Sequence, residues 1–141
     1  MKTILVVDDV PFCRELFSMA LQRSGYEVLT AVDGVEGLGV LKSKSVDLVI
    51  LDAQMPNMDG LDMLRIMRQS PDLKALPVLM LTSLDDKQHI VRAAAIGLQG
   101  YILKTQFSLD KMLQRIERHI GPAKEEAKPL PAGVEEVWDT V

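Results

Sequence analysis

The sequence predicts an α/β domain of three layers, in which helices cover both faces of a parallel β-sheet. Five short apolar segments alternate with segments whose apolar residues follow helical spacing. Several of the apolar segments are continuous, which is typical of strands that are covered on both faces. The strand–helix pair therefore repeats five times, and right-handed crossovers leave few possible topologies.

The five predicted strands form the middle layer. In chain order they are TILVV, EVLTA, DLVIL, PVLMLT and GYILK, at residues 3–7, 27–31, 47–51, 77–82 and 100–104. Their apolar character predicts that most of their side chains are buried between two layers of helices.

The five predicted helices each follow a strand. Their apolar residues recur three or four positions apart in segments that contain Leu16, Leu38, Leu64, Val91 and Leu113. Gly25, Gly97 and Gly121 stand where helices should end, because glycine tolerates the left-handed conformation that closes a helix.

Length and composition favour one globular domain. The chain has 141 residues, of which 48% are hydrophobic and 26% charged, and its net charge of −4 gives no reason to expect nucleic acid or an anionic membrane as a partner. The single cysteine, Cys13, cannot form an internal disulfide, which fits a reducing compartment. The amino terminus does not resemble a secretory signal, and no apolar run could span a bilayer. The sequence therefore predicts a cytoplasmic protein.

The composition changes after residue 120. Residues 1–120 are predicted to form the domain, and residues 121–141 a linker rich in Pro, Ala, Glu and Lys with a short amphipathic tail. The tail, VEEVWDTV, contains Trp138, the only tryptophan. Packing of this tail on the domain, binding to a partner, disorder and the start of a further domain all remain open.

Polar side chains stand where four of the predicted strands end. Asp8 and Asp9 follow the first strand, Asp52 follows the third, Thr82 closes the fourth and Lys104 closes the fifth. Because ligands bind beyond the carboxyl ends of parallel strands, we expect these five side chains to gather at one edge of the sheet.

Each of these residues also has an ordinary structural explanation. Asp8 or Asp9 could cap the helix that begins near Pro11, Thr82 is a favourable strand residue, and Lys104 could be a solvated strand end. Three carboxylates at one place repel one another, however, so a cation must lie among them. Lys104 and a divalent ion are the candidates, and an oxygen ligand set without His or Cys indicates Mg²⁺.

A carboxylate in such a site can attack phosphorus and form an acyl phosphate. The metal, the Lys104 ammonium and the Thr82 hydroxyl would then stabilise the phosphoryl oxygens.

In order and spacing these segments resemble the receiver domain of bacterial two-component response regulators. VVDD resembles the acidic pair of that family, LDAQMPNMDG its phosphoacceptor loop, LTS its switch-threonine segment and YILK its aromatic–lysine strand. The resemblance covers residues 1 to about 120. It implies a flavodoxin-like, doubly wound (βα)5 three-layer sandwich with parallel sheet order 2-1-3-4-5.

The resemblance also implies a chemistry. Asp52 would accept a phosphoryl group from a histidine kinase or a phosphotransfer protein. Asp8, Asp9 and Asp52 would hold Mg²⁺ together with the backbone carbonyl of Gln54, and Lys104 would pair with the phosphoryl group. The protein would be no enzyme beyond its own phosphorylation and dephosphorylation.

The implied output is binding to a downstream protein, as in chemotaxis or motility signalling. After phosphorylation Thr82 would turn inward and Tyr101 would follow, which would reshape the face of the fourth helix, fifth strand and fifth helix. Lys111, Arg115 and Arg118 lie four and three positions apart on the fifth helix. They form either a docking stripe for an acidic partner or an ordinary solvated basic face.

Two positions bear on alternative functions: Thr105 leaves one open, and Gln54 speaks against another. Thr105 follows Lys104 where the family usually has proline, which leaves a cis or trans bond open and allows a phosphate-independent pseudo-receiver. Gln54 stands where metal-dependent aspartyl phosphatases typically have a second acid. A flavin protein of similar architecture would want a phosphate-binding loop in place of DDVPF.

Overall fold

The computed structural model describes residues 1–82, 87–104 and 108–122, which form five strands and five helices in alternation. The strands are β1 (Thr3–Val7), β2 (Glu27–Ala31), β3 (Leu48–Asp52), β4 (Val78–Thr82) and β5 (Gly100–Leu103). The helices are α1 (Pro11–Arg23), α2 (Gly34–Ser43), α3 (Gly60–Gln69), α4 (Lys87–Ile96) and α5 (Leu109–Ile120).

The five strands form one parallel sheet in the order β2-β1-β3-β4-β5. Val7 pairs with Ala31 on one side and with Leu51 on the other, so β1, β2 and β3 end at nearly the same level. The predicted α/β class and the strand order 2-1-3-4-5 are confirmed.

Alternate strand residues face two separate apolar cores. Ile50 lies in the core that β1, β3, β4 and β5 share with α1 and α5, and it is grouped there with Phe17 and Met112. Leu51 lies in the opposite core, which contains Leu64 of α3 and Ala93 of α4. Helices therefore cover both sheet faces, and this burial explains why the central strands are apolar throughout.

Four strand boundaries differ from the prediction by one residue, and the first of them is the start of β3 at Leu48 rather than Asp47. β3 extends through Asp52, because Asp52 pairs with Leu81 and the next amide, Ala53 N, donates to Leu81 O at 2.9 Å. β4 begins at Val78 rather than Pro77, which has no N–H to donate to the sheet. β5 ends at Leu103, so Lys104 lies just beyond the sheet.

The helix ends follow local chemistry that is visible in the sequence. Asp33, Asp59 and Ser108 cap α2, α3 and α5 through side-chain oxygens that accept backbone N–H groups. The three glycines predicted to end helices all have positive φ, at 100°, 129° and 79° along the chain. None of the described helices has both the length and the apolar character needed to cross a bilayer.

Arg68, in the last turn of α3, fastens the carboxyl end of α4. Its Nε donates to Gly97 O at 2.7 Å, and its Nη1 donates to Leu73 O at 3.1 Å. Its Nη2 donates to Gln99 Oε1 at 2.9 Å, and the same oxygen accepts Val78 N at 2.8 Å. One guanidinium thus joins α3, the end of α4 and the start of β4.

Candidate functional site

Three carboxylates meet at the carboxyl ends of β1 and β3. Asp8, Asp9 and Asp52 each offer an oxygen, and these oxygens lie within 4.8 Å of one another. The neighbouring strand positions Val7 and Leu51 are paired, which places the residues that follow them side by side. The predicted convergence of these acids is therefore present in the structure.

Two of the three acids are deeply buried. Asp8 is 0% exposed and Asp52 is 3% exposed, whereas Asp9 is closer to solvent. Asp8 Oδ1 accepts Val10 N at 2.9 Å, but its other oxygen, Oδ2, has no hydrogen-bond partner among the described residues. A buried carboxylate oxygen without a donor is costly, and a cation would relieve that cost.

Neither Asp8 nor Asp9 caps α1. The capping position belongs to Val10, which makes no side-chain cap hydrogen bond, and Pro11 begins the helix. Proline suits this first helical position, because its fixed φ matches the helix and its missing N–H would have no partner within the helix. The alternative that Asp8 or Asp9 caps α1 is therefore wrong.

Lys104 reaches the acids from beyond β5. Its Nζ lies 3.0 Å from Asp52 Oδ1, and its backbone N donates to Thr82 O at 2.8 Å, which sets its position relative to β4. Burial alone would lower the pKa of the Lys104 ammonium, but the charges of Asp52 and Asp8 outweigh that effect and raise it. Lys104 therefore stays protonated and provides one positive charge.

One lysine does not balance three carboxylates. Burial, and then the charge of Asp8, raise the pKa of Asp52 to about 7 against the opposing effect of Lys104. Burial also raises the pKa of Asp8, although the hydrogen bond from Val10 N and the Lys104 charge oppose it. Without a further cation the site is thus short of positive charge near neutral pH.

The donor set fits a hard divalent cation. The ligands on offer are carboxylate oxygens, and among the described residues the cluster contains neither His nor Cys. Mg²⁺ prefers such oxygens, and Asp8 Oδ2 accepts no hydrogen bond from the residues that the structure describes. Asp8, Asp9 and Asp52 would hold this ion, and the family resemblance implies the Gln54 backbone carbonyl as a further ligand.

The loop after β3, residues 53–59, is called the acceptor loop below. Its first turn packs against the acid itself, since Gln54 N lies 3.5 Å from Asp52 Oδ1. Gly60, at the far end, donates from its N to Ala53 O at 3.0 Å. A Cβ at Gly60 would lie 2.3 Å from Asp52 O, so only glycine allows the loop to close here.

Thr82 and Tyr101 lie on the neighbouring strands β4 and β5 but in different environments. Thr82 closes β4 and is 1% exposed, while Tyr101 in β5 is 42% exposed. Burial of the threonine beside an exposed ring on the next strand is compatible with the predicted switch pair.

One of the three residues in the predicted partner stripe on α5 already contacts β5. Lys111, Arg115 and Arg118 are all exposed, but Arg115 Nη1 donates to Tyr101 O and so ties α5 to β5. Trp138 and the Lys104–Thr105 bond lie outside the described residues, and the predictions about them stay predictions.

Sequence reasoning missed one pair beside the site. Asn57 Nδ2 donates to Asp33 Oδ2 at 2.8 Å, which connects the acceptor loop to the start of α2. The capping role of Asp33 could have been found, because Glu36 follows it three positions later in a capping-box pattern. Its pairing with Asn57 had no local signal.

Comparisons with known proteins agree with this geometry. Residues 4–117 match the response regulator receiver domain. Chemotaxis protein CheY-3 of Vibrio cholerae is 37% identical, over 80% of this chain and 92% of that protein. The probable transcriptional regulatory protein TcrX of Mycobacterium tuberculosis is 36% identical, over 81% of this chain and 47% of that protein. A solved structure of V. cholerae chemotaxis protein CheY4 superimposes with a TM-score of 0.78 at 34% identity, covering 84% of this chain and 98% of that one.

Proposed function

The chain belongs to the response regulator receiver domain family, and we propose that Asp52 is its phosphoacceptor. Receiver domains are signalling modules rather than enzymes of the usual kind, and they exchange phosphoryl groups with histidine kinases or phosphotransfer proteins. We assign residues 1–120 to this domain and place the protein in the cytoplasm.

The reaction is a phosphoryl transfer to a carboxylate. An oxygen of Asp52 attacks the phosphorus of a kinase phosphohistidine, a P–O bond forms and the P–N bond breaks. The imidazole leaves with the electrons of that bond, and the product is an aspartyl phosphate on this chain. Hydrolysis of the acyl phosphate by water returns Asp52 to its starting state.

The residues around Asp52 support this role. The strand that carries Asp52 is paired on both sides, which holds the nucleophile in place. The Lys104 ammonium, 3.0 Å from Asp52 Oδ1, can pair with a phosphoryl oxygen once the carboxylate is modified. Mg²⁺ held by Asp8, Asp9, Asp52 and the Gln54 carbonyl would supply the remaining positive charge.

One observation carries the proposal: among the residues that the structure describes, the buried oxygen Asp8 Oδ2 has no donor, although it lies in an acid cluster with a single lysine. A merely structural acid pair would be expected to satisfy its oxygens with protein donors.

Phosphorylation is proposed to switch the face formed by α4, β5 and α5. Thr82 would turn toward the phosphoryl group and Tyr101, now 42% exposed, would move into the space it leaves. Lys111 and Arg118 would then contribute to contacts with a downstream protein. The relatedness to a chemotaxis protein favours chemotaxis or motility signalling, and neither nucleic acid nor a membrane is the expected target.

Intact-mass analysis after incubation with Mg²⁺ and acetyl phosphate tests the proposal. We expect one added phosphoryl group on the parent protein and none on Asp52→Asn. Absence of the adduct from the parent, together with no binding of beryllofluoride, would identify a phosphate-independent interaction module instead.

A further inference from the structure

Asp33 joins the start of α2 to the acceptor loop through both of its carboxylate oxygens. Oδ1 accepts Glu36 N at 2.8 Å and caps the helix, while Oδ2 accepts Asn57 Nδ2 at 2.8 Å. Asp33 is 8% exposed, and these hydrogen bonds lower its pKa. The carboxylate is therefore ionised at neutral pH, and its bond with Asn57 is charge-assisted.

Asn57 has an unusual backbone conformation. Its φ is 68°, and the residues on either side of it are linked by a hydrogen bond from Met58 N to Pro56 O at 2.7 Å. A three-residue turn with positive φ at its centre is the rarer and more strained form of the γ-turn. Such backbone strain persists only where the surrounding structure holds it, and it is concentrated at functional sites.

A second contact fastens the same part of the loop to α2. Gly34 N donates to Met58 O at 3.3 Å, and a Cβ at Gly34 would lie 2.9 Å from Met58 Cγ. The loop is thus held at its far side by α2 and, through Gly60, at its end by the backbone of Asp52. The bond from Asn57 to Asp33 adds a side-chain hydrogen bond to these backbone contacts.

We propose that Asp33 and Asn57 are positioning residues for the metal site, which form a latch that fixes the acceptor loop. The inference rests on the proposed function of Asp52. Gln54, whose backbone carbonyl is the proposed fourth ligand, lies three residues before Asn57 in this short loop. A loop released from α2 loses the fixed position of that carbonyl, and Mg²⁺ then binds a less prepared site.

The variant Asn57→Gly distinguishes an effect on the position of the acceptor loop from an effect on the stability of the fold. Glycine adopts positive φ freely, so the substitution adds no strain at residue 57 and removes only the side-chain bond to Asp33. We expect the dissociation constant for Mg²⁺, measured by calorimetry on the full chain, to rise about tenfold. The melting temperature without Mg²⁺ should stay within about 2 °C of the parent value.

An exchange of the two side chains provides the matched control. Asn57→Asp alone places two carboxylates together and should weaken Mg²⁺ binding more than Asn57→Gly does. Adding Asp33→Asn restores an amide–carboxylate pair with the same total charge, and Asn caps helices as well as Asp. The double variant should therefore regain most of the lost affinity.

The outcomes distinguish this inference from the proposed function. Suppose that the parent protein binds Mg²⁺ and is phosphorylated. The latch alone is then overturned if Asn57→Gly leaves the Mg²⁺ affinity unchanged, or if the exchanged double variant does not regain it. A parent protein that neither binds Mg²⁺ nor gains a phosphoryl group overturns both.

Discussion

Lys104 Nζ lies 3.0 Å from Asp52 Oδ1, although Asp52 ends β3, Lys104 follows β5 and β4 lies between these two strands. Their side chains are 21% and 4% exposed, so water screens the pair only weakly. Asp8 and Asp9 stand on the other side of Asp52. The resulting excess of negative charge makes the site sensitive to the lysine, to pH and to added cations.

Loss of the lysine charge should destabilise the metal-free protein. Lys104→Met keeps the aliphatic length but leaves the buried carboxylates of Asp52 and Asp8 without their cation. We expect the free energy of unfolding at pH 8 to fall by about 2 kcal/mol, measured by urea denaturation. Lys104→Arg keeps the charge and should lose less. Equal stability of Lys104→Met and the parent at pH 8 would show that the pair contributes little.

The stability of the metal-free protein should fall as the pH rises toward 8. The pKa of Asp52 is about 7 in the folded protein, above the value of about 3.9 expected in an unfolded chain. The folded state therefore binds the Asp52 proton more tightly than the unfolded state does. This protonation contributes fully to the stability below about pH 4, and the contribution is lost as the pH rises through 7.

Asp52→Asn tests this pH dependence. Between pH 5 and pH 8 the parent should lose about 2–3 kcal/mol of unfolding free energy relative to the variant. The comparison requires urea denaturation in the presence of a chelator. Parallel pH profiles for the two proteins would contradict the raised pKa of Asp52.

Mg²⁺ affinity should increase with pH. Protons compete with the cation for the Asp52 carboxylate, whose pKa is about 7. The dissociation constant should therefore fall about tenfold between pH 6 and pH 8, as calorimetry can measure. Asp9→Asn should bind more weakly at every pH but keep the same slope, since its change does not remove the titrating group. A dissociation constant that is independent of pH would exclude Asp52 as a ligand that titrates in this range.

Two glycine substitutions should have opposite effects. A Cβ at Gly60 would lie 2.3 Å from Asp52 O, whereas a Cβ at Gly39 would meet nothing within 4 Å. Gly60→Ala should displace the acceptor loop, lower the melting temperature and abolish most phosphorylation by acetyl phosphate. Gly39→Ala, in the middle of α2, should raise stability by up to about 1 kcal/mol and leave phosphorylation unchanged. Normal phosphorylation of a folded Gly60→Ala protein would show that the loop tolerates movement.

The fold and the acid cluster could be predicted because their signals are local and repeat along the chain. A continuous apolar run that ends in Asp52 identifies a buried strand and the position of a carboxylate at its end. The topology rule for parallel sheets then brings Asp8, Asp52 and Lys104 together without any knowledge of distances.

Other features depend on contacts between distant segments, and no local sequence pattern predicts them. The bond between Asp33 and Asn57 and the bond from Arg115 to the Tyr101 carbonyl each join two elements at their surfaces. An exposed arginine on a helix has the same appearance in a sequence whether it binds a carbonyl or only water. The alternative of a cap for Asp8 or Asp9 failed because an acid before a helix is a common capping pattern, whereas the capping position here is Val10.

The contacts of Arg68 have a mechanical consequence for α4. Arg68 of α3 donates to Gly97 O and to Gln99 and so fixes the carboxyl end of this helix to α3 and β4. The amino end of the helix lies on the side of Thr82. The helix has 10 residues, which corresponds to a rod of about 15 Å. A rod anchored at one end is a lever with its fulcrum at Gly97. A tilt of about 4° would move its far end by about 1 Å, so a small displacement near Thr82 suffices to turn the whole surface that α4 presents.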